Sequence, residues 1–328
     1  MSSNRPSPVP TRRSMSGLAG AVVLLTAAPE WHPPAKAEPP TKPWVPIATL
    51  DTQVVREPSG IVKSRRHPGI YWTHGDSGTS PQIFAFRDTG ELVATVQISG
   101  APNSDWEDIA IDDEDNLYIG DIGNNRQIFP ARFIYVLPEP DPTADHSKPV
   151  PWSRRWKFKY PRERFNAESL YVRDGQMHIL NVGEKGKPTI YRLAPIAEDE
   201  CELETVAPLP VWLAQGADVS PDGRWLVVCT GAAAWLAELD DEGRPRKDRK
   251  LLQIRYPQCS AEACCFDGDD ILILTEEGNL YRIPRKDFED GVRFVQPPAD
   301  KQKPPAPTPP APKPEQPPTT SEGHRPHD

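Results

Sequence analysis

Carboxylate side chains are concentrated in one short stretch of this sequence, from Asp105 to Asn125. Two runs of alternating polar and apolar residues flank a polar turn here, which predicts two antiparallel strands joined as a hairpin. Because a hairpin returns the chain to the side it left, Glu107 and Asp108 should lie close to Asp121. Carboxylates held this close could bind a hard divalent cation, or one of them could keep its proton and serve as a general acid or base.

The pattern of this stretch recurs along the chain, which indicates the elements that position these side chains. Five repeats each begin with a small or polar residue, a carboxylate in four of them, followed by a short apolar strand. The aligned positions are Ser59, Glu107, Glu168, Asp218 and Glu262. Their spacings are 48, 61, 50 and 44 residues, a period typical of a propeller or a solenoid.

Each repeat also contains the further strands of a propeller blade. A polar turn, a strongly apolar second strand and a third strand follow in every repeat, and a fourth can be placed in the first four. With almost no helical periodicity, the sequence predicts an all-β fold. We expect a single β-propeller of five visible four-stranded units, with room for a sixth blade in the long second unit. Residues Ile47 to Val55 could supply the missing outer strand of the fifth unit and close the ring.

Polar side chains should gather at one end of this ring. In a blade, the loop before the first strand and the loop after the second strand open on the same end of the central channel. The candidate residues of a ligand-binding funnel at this end are His74, Asp76, Asp105, Glu107, Asp108, Asp121, Asn124, Asn125, Glu168, Asn181, Asp218, Glu262 and Glu276. The candidate metal ligands among them are Glu107, Asp108, Asp121, Glu168, Asp218 and Glu262. Oxygen ligands of this kind favour Ca²⁺ as the bound ion.

Several interpretations of this funnel stay open. One carboxylate per blade is also what a structural role predicts, because such groups can accept hydrogen bonds from backbone N–H groups or from a neighbouring blade. If the funnel binds a ligand, we expect a binding module whose partner is a small molecule or a protein. The alternative is a metal-dependent hydrolase of phosphoesters or lactones that uses the same carboxylates. His74 beside Asp76 could be a base with its orienting partner, or a surface histidine beside a turn.

Other classes of chemistry find little support in the sequence. The net charge of -9 and the lack of a Lys/Arg stripe with interleaved aromatic residues argue against a nucleic-acid partner. Sparse histidines argue against a zinc site, and the missing Gly-x-Ser-x-Gly motif argues against a serine hydrolase of the usual kind. The 5 cysteines permit at most two disulfides, so a bridge between Cys229 and Cys259 and buried free thiols both stay open.

Both ends of the chain differ in composition from the repeats. Residues 1–37 contain a basic pair, an apolar run and a small-residue cleavage site, which predicts a signal peptide and an exported protein, periplasmic or extracellular. No other run is long and apolar enough to predict a membrane span after signal removal. Residues 38–45 are a predicted Pro-rich linker, residues 46–296 the propeller, and residues 297–328, with 12 prolines, a disordered tail. We expect a monomer.

Five motifs resemble those of known propellers: Glu57-Pro58-Ser59-Gly60-Ile61, Trp72 to Gly78, Asp105 to Ala110, Tyr118 to Asn125 and Ala217 to Gly223. Together they resemble a group of secreted bacterial β-propeller proteins. More distantly, they are similar to the SdiA-regulated, phytase-like and TolB-like six-bladed propellers. The resemblance covers nearly the whole body between Trp44 and Gln296 and implies a propeller, with six blades as the habit of those relatives. It implies no single activity, since enzymes and binding modules share this fold.

Overall fold

The computed structural model describes residues 44–161, 165–183, 188–257 and 259–290 of the 328-residue chain. The predicted signal peptide and tail, and most of the predicted linker, lie outside the described residues. Within these ranges the chain forms β-strands and one short 3-10 helix, Arg285–Asp287, which confirms the predicted all-β fold. No helix in these ranges has the length and apolar character needed to cross a membrane.

Within the same ranges the strands form five blades around a central channel. The first strand of the described residues is β1 (Ala48–Thr49), and the first blade is β2 (Pro58–Lys63), β3 (Tyr71–Gly75), β4 (Gln82–Phe86) and β5 (Leu92–Ser99). The second contains β6 (Trp106–Ile111), β7 (Asn116–Asp121), β8 (Arg132–Pro138) and, after the short β9 (Val150–Pro151) that joins the sheet of the first blade, β10 (Arg154–Phe158). The third is β11 (Ala167–Arg173), β12 (Gln176–Asn181), β13 (Thr189–Ala197) and β14 (Glu200–Pro208). The fourth is β15 (Gly216–Val219), β16 (Trp225–Thr230), β17 (Ala233–Glu238) and β18 (Leu252–Arg255). The fifth is β19 (Ala261–Asp267), β20 (Asp270–Thr275) and β21 (Asn279–Pro284), followed by β22 (Glu289–Asp290).

The first strands of the five blades form a closed ring. Strands β2, β6, β11, β15 and β19 each contact the first strand of the blade on either side, and β19 contacts β2. Strand β1 pairs antiparallel with β21, through Ala48 with Leu280 and Thr49 with Asn279. The N-terminal strand therefore supplies the outer strand of the fifth blade, as the sequence predicts, and covers the edge of β21.

The long second repeat contains no sixth blade within the described ranges. Strand β9 instead pairs parallel with β5 of the first blade. Strand β10 pairs antiparallel with β8, and one of its residues pairs with β14 of the third blade. The excursion thus links the outer edges of three blades, and the predicted count of five units is confirmed against the six-bladed habit that the resemblance implies.

Apolar side chains fill the space between neighbouring blades. Trp72 of the first blade and Trp106 of the second are fully buried in one shared cluster. In the first strands, Ile109, Leu170 and Val219 are 1%, 0% and 6% exposed. All three side chains are buried, as expected for first strands that line the channel, and β6 is buried along its whole length.

All 5 cysteines are free thiols. Cys229 and Cys264 are buried in the cluster between the fourth and fifth blades, and Cys259 packs partly against it. Burial raises the pKa of Cys259 to about 11. Of the two alternatives that the sequence left open, the structure shows the free thiols and not the bridge between Cys229 and Cys259.

Trp44 anchors the start of the described chain to the fourth and fifth blades. Its ring stacks between Tyr256 and Tyr281, at centroid distances of 4.7 and 4.3 Å. We expect Trp44→Ala to lower the free energy of unfolding by about 2 kcal/mol, because the change removes two aromatic contacts and the apolar area they cover. Urea unfolding measures this difference. Ile128, which is 64% exposed, provides the control: Ile128→Ala should change the same free energy by less than about 0.5 kcal/mol. Equal midpoints for Trp44→Ala and the unsubstituted protein would contradict the anchor.

Candidate functional site

A β-bulge sets the direction of the acidic side chains at the start of three first strands. In the second blade the pairing register shifts between Trp106 and Asp108, which leaves Glu107 as the bulged residue. Glu168 and Glu262 occupy the same bulged position in the third and fifth blades. A bulge inserts one extra residue and re-aims its side chain, so these glutamates do not follow the alternation of the strands that carry them.

Asp108 joins three blades through its two carboxylate oxygens. Oδ1 accepts a hydrogen bond from the N–H of Ile109 at 2.9 Å. Oδ2 accepts from the N–H of Leu170 in the third blade at 2.8 Å and from that of Ala217 in the fourth at 3.4 Å. Burial raises the pKa of Asp108, and these three donors oppose the rise. The carboxylate is therefore occupied by contacts of the kind that the structural interpretation predicts.

Asp218 makes similar contacts between the fourth and fifth blades. Its Oδ1 accepts from the N–H of Val219 at 2.8 Å, and its Oδ2 accepts from the N–H of Phe266 in the fifth blade at 2.9 Å. Burial raises the pKa of Asp218 to about 6, against the same opposing donors. Two of the six candidate metal ligands, Asp108 and Asp218, thus already bind backbone groups.

Asp121, a third candidate ligand, belongs to a buried ion pair. Its Oδ1 lies 2.7 Å from Nη2 of Arg132, and both side chains are 1% exposed. The same oxygen accepts a hydrogen bond from the N–H of Asp105 at 2.8 Å. Burial raises the pKa of Asp121, and the Arg132 charge opposes this shift. The charge of Asp121 is therefore balanced within the protein.

Asp76, Asp105 and Glu107 form a cluster of three carboxylates, which we name the acidic triad. Asp76 follows β3 of the first blade, and the other two lie at the start of β6; one oxygen of each lies within 4.8 Å of the others. Glu107 is 7% exposed, and its Oε1 is buried with no hydrogen-bond partner among the described residues. A Cβ at Gly123 would lie 2.6 Å from Oδ2 of Asp105 and nearer still to Oε1 of Glu107. The carboxylate ends of Glu107 and Asp105 therefore lie against Gly123, in space that a side chain at this position would fill.

Burial and mutual repulsion make it costly to charge this cluster. Burial first, and then the neighbouring charges of Glu168 and Asp76, raise the pKa of Glu107 well above its ordinary value. Burial, followed by acidic neighbours, raises the pKa of Asp76 to about 6 and that of Glu262 to about 8. A bound divalent cation would stabilise the charged forms and relieve the repulsion.

The other glutamates of the predicted funnel are more loosely held. Oε1 of Glu168 accepts a hydrogen bond from Nδ2 of Asn166 at 2.9 Å. Oε2 of Glu262 accepts one from Nε2 of Gln215 at 3.1 Å. Glu276 is exposed at the end of β20. Glu168 and Glu262 influence the pKa of Glu107, so all of these charges belong to one electrostatic environment.

The predicted asparagines hold loops in place. Oδ1 of Asn181 accepts a backbone N–H at 2.7 Å, and Oδ1 of Asn124 accepts the N–H of Phe129 at 3.2 Å. Asn125 is exposed, and its Oδ1 accepts from Nδ2 of Asn166 at 3.1 Å. Asn181 and Asn124 are 1% and 4% exposed, so the channel solvent hardly reaches them.

His74 occupies a core position. It is 0% exposed, its Nδ1 lies 3.1 Å from the carbonyl oxygen of Gly75, and its ring meets Trp106 edge-on at 5.6 Å. Burial lowers the pKa of His74 to about 4, so the ring is neutral at pH 7. The sequence left a catalytic base and a surface histidine as alternatives. In the structure His74 is instead a neutral core residue that packs against Trp106.

Two residues of the site, Arg132 and Gly123, were not singled out in the sequence. Arg132 opens the apolar strand β8, and a charged residue in such a strand could have signalled a buried ion pair. Gly123 follows β7 in a stretch rich in turn-forming residues, and the pattern contains no signal that separates it from an ordinary turn glycine.

Comparisons with known proteins add little beyond this geometry. No protein-family model matches the chain, and no curated protein matches it. A chain of the nidogen/laminin complex is similar in structure, with 12% identity over 69% of this chain and 84% of that chain, and a TM-score of 0.43. The major Malassezia sympodialis allergen Mala s 1 is similar with 11% identity over 70% of this chain and 92% of that chain, and a TM-score of 0.45. Both TM-scores are below 0.5, so the propeller is identified from its own strand pairing, and no function is inferred from either protein.

Proposed function

We propose that this propeller is an exported binding module whose channel mouth holds a divalent cation, Ca²⁺, at the acidic triad of Asp76, Asp105 and Glu107. The observation that carries the proposal is the buried Oε1 of Glu107, which has no hydrogen-bond partner among the described residues, in a cluster where one oxygen of each carboxylate lies within 4.8 Å of the others. A buried polar atom without a partner is costly, and an ion that accepts its lone pairs removes that cost. The triad thus replaces the six ligands expected from the sequence and keeps Glu107 among them.

The donor set fits a hard cation better than a softer metal. All three ligands would be carboxylate oxygens, and Ca²⁺ takes six to eight oxygens from carboxylates, carbonyls and water. Three protein carboxylates leave coordination positions for water or for an oxygen atom of a ligand in the channel. The cation would therefore serve both to neutralise the triad and to bind a ligand at the mouth of the propeller.

Thermal unfolding in EDTA and in Ca²⁺ tests this proposal. A cation that binds only the folded protein stabilises it by about 2.7 kcal/mol at a hundredfold excess over its dissociation constant, so we expect the melting temperature to rise by about 5 °C or more. Glu107→Gln should abolish the rise, because it removes the charge of the ligand whose oxygen is unpartnered. In EDTA the variant should melt no lower than the unsubstituted protein, since the change also removes repulsion.

Glu262→Gln is the matched control for that experiment. It removes one carboxyl group from the same channel mouth but leaves the triad complete. We expect this variant to keep most of the Ca²⁺-dependent rise. An equal loss in both variants would point to a diffuse effect of negative charge, and no rise in the unsubstituted protein would leave a channel filled with water and a binding module without a cation.

A metal-dependent hydrolase of phosphoesters or lactones is the second candidate function. The observation that favours it is Glu262, whose pKa burial and neighbouring carboxylates raise to about 8, so that it keeps a proton near neutral pH. A protonated carboxyl group beside a bound cation could serve as a general acid. Ca²⁺-dependent turnover of a phosphoester or a lactone that Glu262→Gln reduces would support this function over a pure binding module.

Export of the protein, a monomeric state and kinship with the secreted bacterial propellers belong to the same proposal. The signal-like residues 1–37 support export, and the five propeller motifs support the kinship. Isolating the protein from cell fractions and determining its N-terminal residue would test export, because cleavage after residue 37 is the expected result.

A further inference from the structure

Arg132 is a buried cation beside a site that is otherwise acidic. It opens β8, its side chain is 1% exposed, and its guanidinium group lies over the ring of Phe129 at 4.3 Å. Nη2 lies 2.7 Å from Oδ1 of Asp121. An ion pair this buried gives little net stability, because the cost of removing both charges from water offsets their attraction. Its position relative to the triad suggests a further role.

The ion pair holds one residue of the triad at both ends of its backbone. The N–H of Asp105 donates to Oδ1 of Asp121 at 2.8 Å. The carbonyl oxygen of Asp105 accepts from Nη2 of Arg132 at 3.3 Å and from the N–H of Gly123 at 3.0 Å. The pairing of β6 with β7 begins at Trp106, so Asp105 lies outside it. The three hydrogen bonds therefore set the position of Asp105.

We propose that Arg132 and Asp121 are a positioning pair that fixes Asp105 and thereby sets the affinity of the acidic triad for its cation. This inference rests on the proposed cation site. Groups that orient the ligands of a metal ion commonly change its affinity ten- to a hundredfold when they are substituted. The pair acts through Asp105 and does not itself bind the ion, since the charge of Asp121 is already balanced by Arg132.

The charge of Arg132 and its positioning role predict opposite results for one substitution. Removing a positive charge near the triad should strengthen cation binding if only electrostatics matters, because Nη2 of Arg132 lies 3.3 Å from the carbonyl oxygen of Asp105 and its charge repels a bound cation. Losing the donor to the carbonyl oxygen of Asp105 should weaken binding if the position of that residue matters. The sign of the change in the Ca²⁺ dissociation constant of Arg132→Met therefore separates the two effects.

A charge-neutral double variant is the main test, because Arg132→Met alone leaves Asp121 charged and unpaired in the core and could fail to fold. In Arg132→Met with Asp121→Asn, one positive and one negative charge are removed together, and the asparagine Oδ1 can still accept the N–H of Asp105. We expect the Ca²⁺ dissociation constant, measured by isothermal titration calorimetry well below the melting temperature, to rise about tenfold. Arg132→Lys, which keeps a charge and a donor, should recover part of this loss.

The matched control is the charge-neutral pair Arg282→Met with Asp267→Asn. Arg282 of β21 and Asp267 at the end of β19 form an ion pair at the opposite ends of the strands from the triad. This variant should lose stability but keep the Ca²⁺ dissociation constant within twofold. An equally small change in the Arg132 and Asp121 double variant would overturn the positioning role and leave the cation site standing. An unsubstituted protein that binds no Ca²⁺ in the same titration would overturn both.

Discussion

Asp108→Ala is expected to destabilise the propeller by about 4 kcal/mol, because the substitution leaves buried N–H groups of three blades without an acceptor. Each such group costs about 1–3 kcal/mol when its partner is removed. Asp108 Oδ2 alone serves Leu170 and Ala217 of the third and fourth blades. We expect the loss as a lower urea midpoint or a fall of several degrees in the melting temperature.

Asp108→Asn should destabilise the protein less than Asp108→Ala but still measurably. One oxygen remains as an acceptor, while the amide NH₂ replaces the other and faces donors. Asp113 provides the control, since it lies exposed in the turn between β6 and β7, and Asp113→Asn should change the free energy of unfolding by less than about 0.5 kcal/mol. Equal stabilities for Asp108→Ala and Asp113→Asn would contradict the role of Asp108 in joining the blades.

Gly123→Ala is expected to abolish cation binding at the triad while leaving the fold intact. The added Cβ would lie 2.6 Å from Oδ2 of Asp105 and nearer to Oε1 of Glu107, so these carboxylate ends must move out of the space that the cation would occupy. The backbone of Gly123 is not in the left-handed region, so alanine brings no backbone strain. We expect the Ca²⁺-dependent rise in melting temperature to disappear, with little change in EDTA.

Gly231→Ala is the matched control for that substitution. Gly231 also follows a second strand, β16 of the fourth blade, but its Cβ would approach the carbonyl oxygen of Cys259 at 3.2 Å and no carboxylate. This variant should keep the Ca²⁺ response of the unsubstituted protein. A Gly123→Ala protein that still responds to Ca²⁺ would place the cation elsewhere in the channel.

Much of the fold could be predicted from the sequence because strand alternation and turn residues are local signals. The apolar pattern of the first strands predicts that Ile109, Leu170 and Val219 are buried, and they are. The fifth repeat lacks a clear fourth strand, which indicated closure by the N-terminal strand. The length of that closing strand was less predictable. Only Ala48 and Thr49 of the predicted segment pair with β21.

The different roles of Glu107 and Asp108 could not be predicted from the sequence, because they depend on a β-bulge. Glu107 and Asp108 are adjacent, and the period of a strand alone would put one on each face. The bulge at Glu107 places that side chain with Asp76 and Asp105, whereas Asp108 accepts backbone N–H groups of neighbouring blades. In the fourth blade, Asp218 accepts backbone N–H groups in a similar way, although alignment by repeat matched it to Glu107.

The Arg132 contacts illustrate a second limit of the sequence. Asp121 and Arg132 are separated by a loop of ten residues, and no local pattern shows that they form a buried pair. Because of this pair, Asp121 is interpreted as the ion-pair partner of Arg132 and not as a ligand of a metal ion. Only the three-dimensional arrangement of β7 and β8 reveals this.

A crystal structure of the protein grown in Ca²⁺ is the most direct test of the proposed cation site. We expect one strong density peak between Asp76, Asp105 and Glu107, at about 2.3–2.6 Å from their carboxylate oxygens, with further positions filled by water. In crystals of Glu107→Gln grown in the same way, the peak should be absent. A triad that holds only water at saturating Ca²⁺, or a cation bound at other residues of the channel, would contradict the proposed cation site.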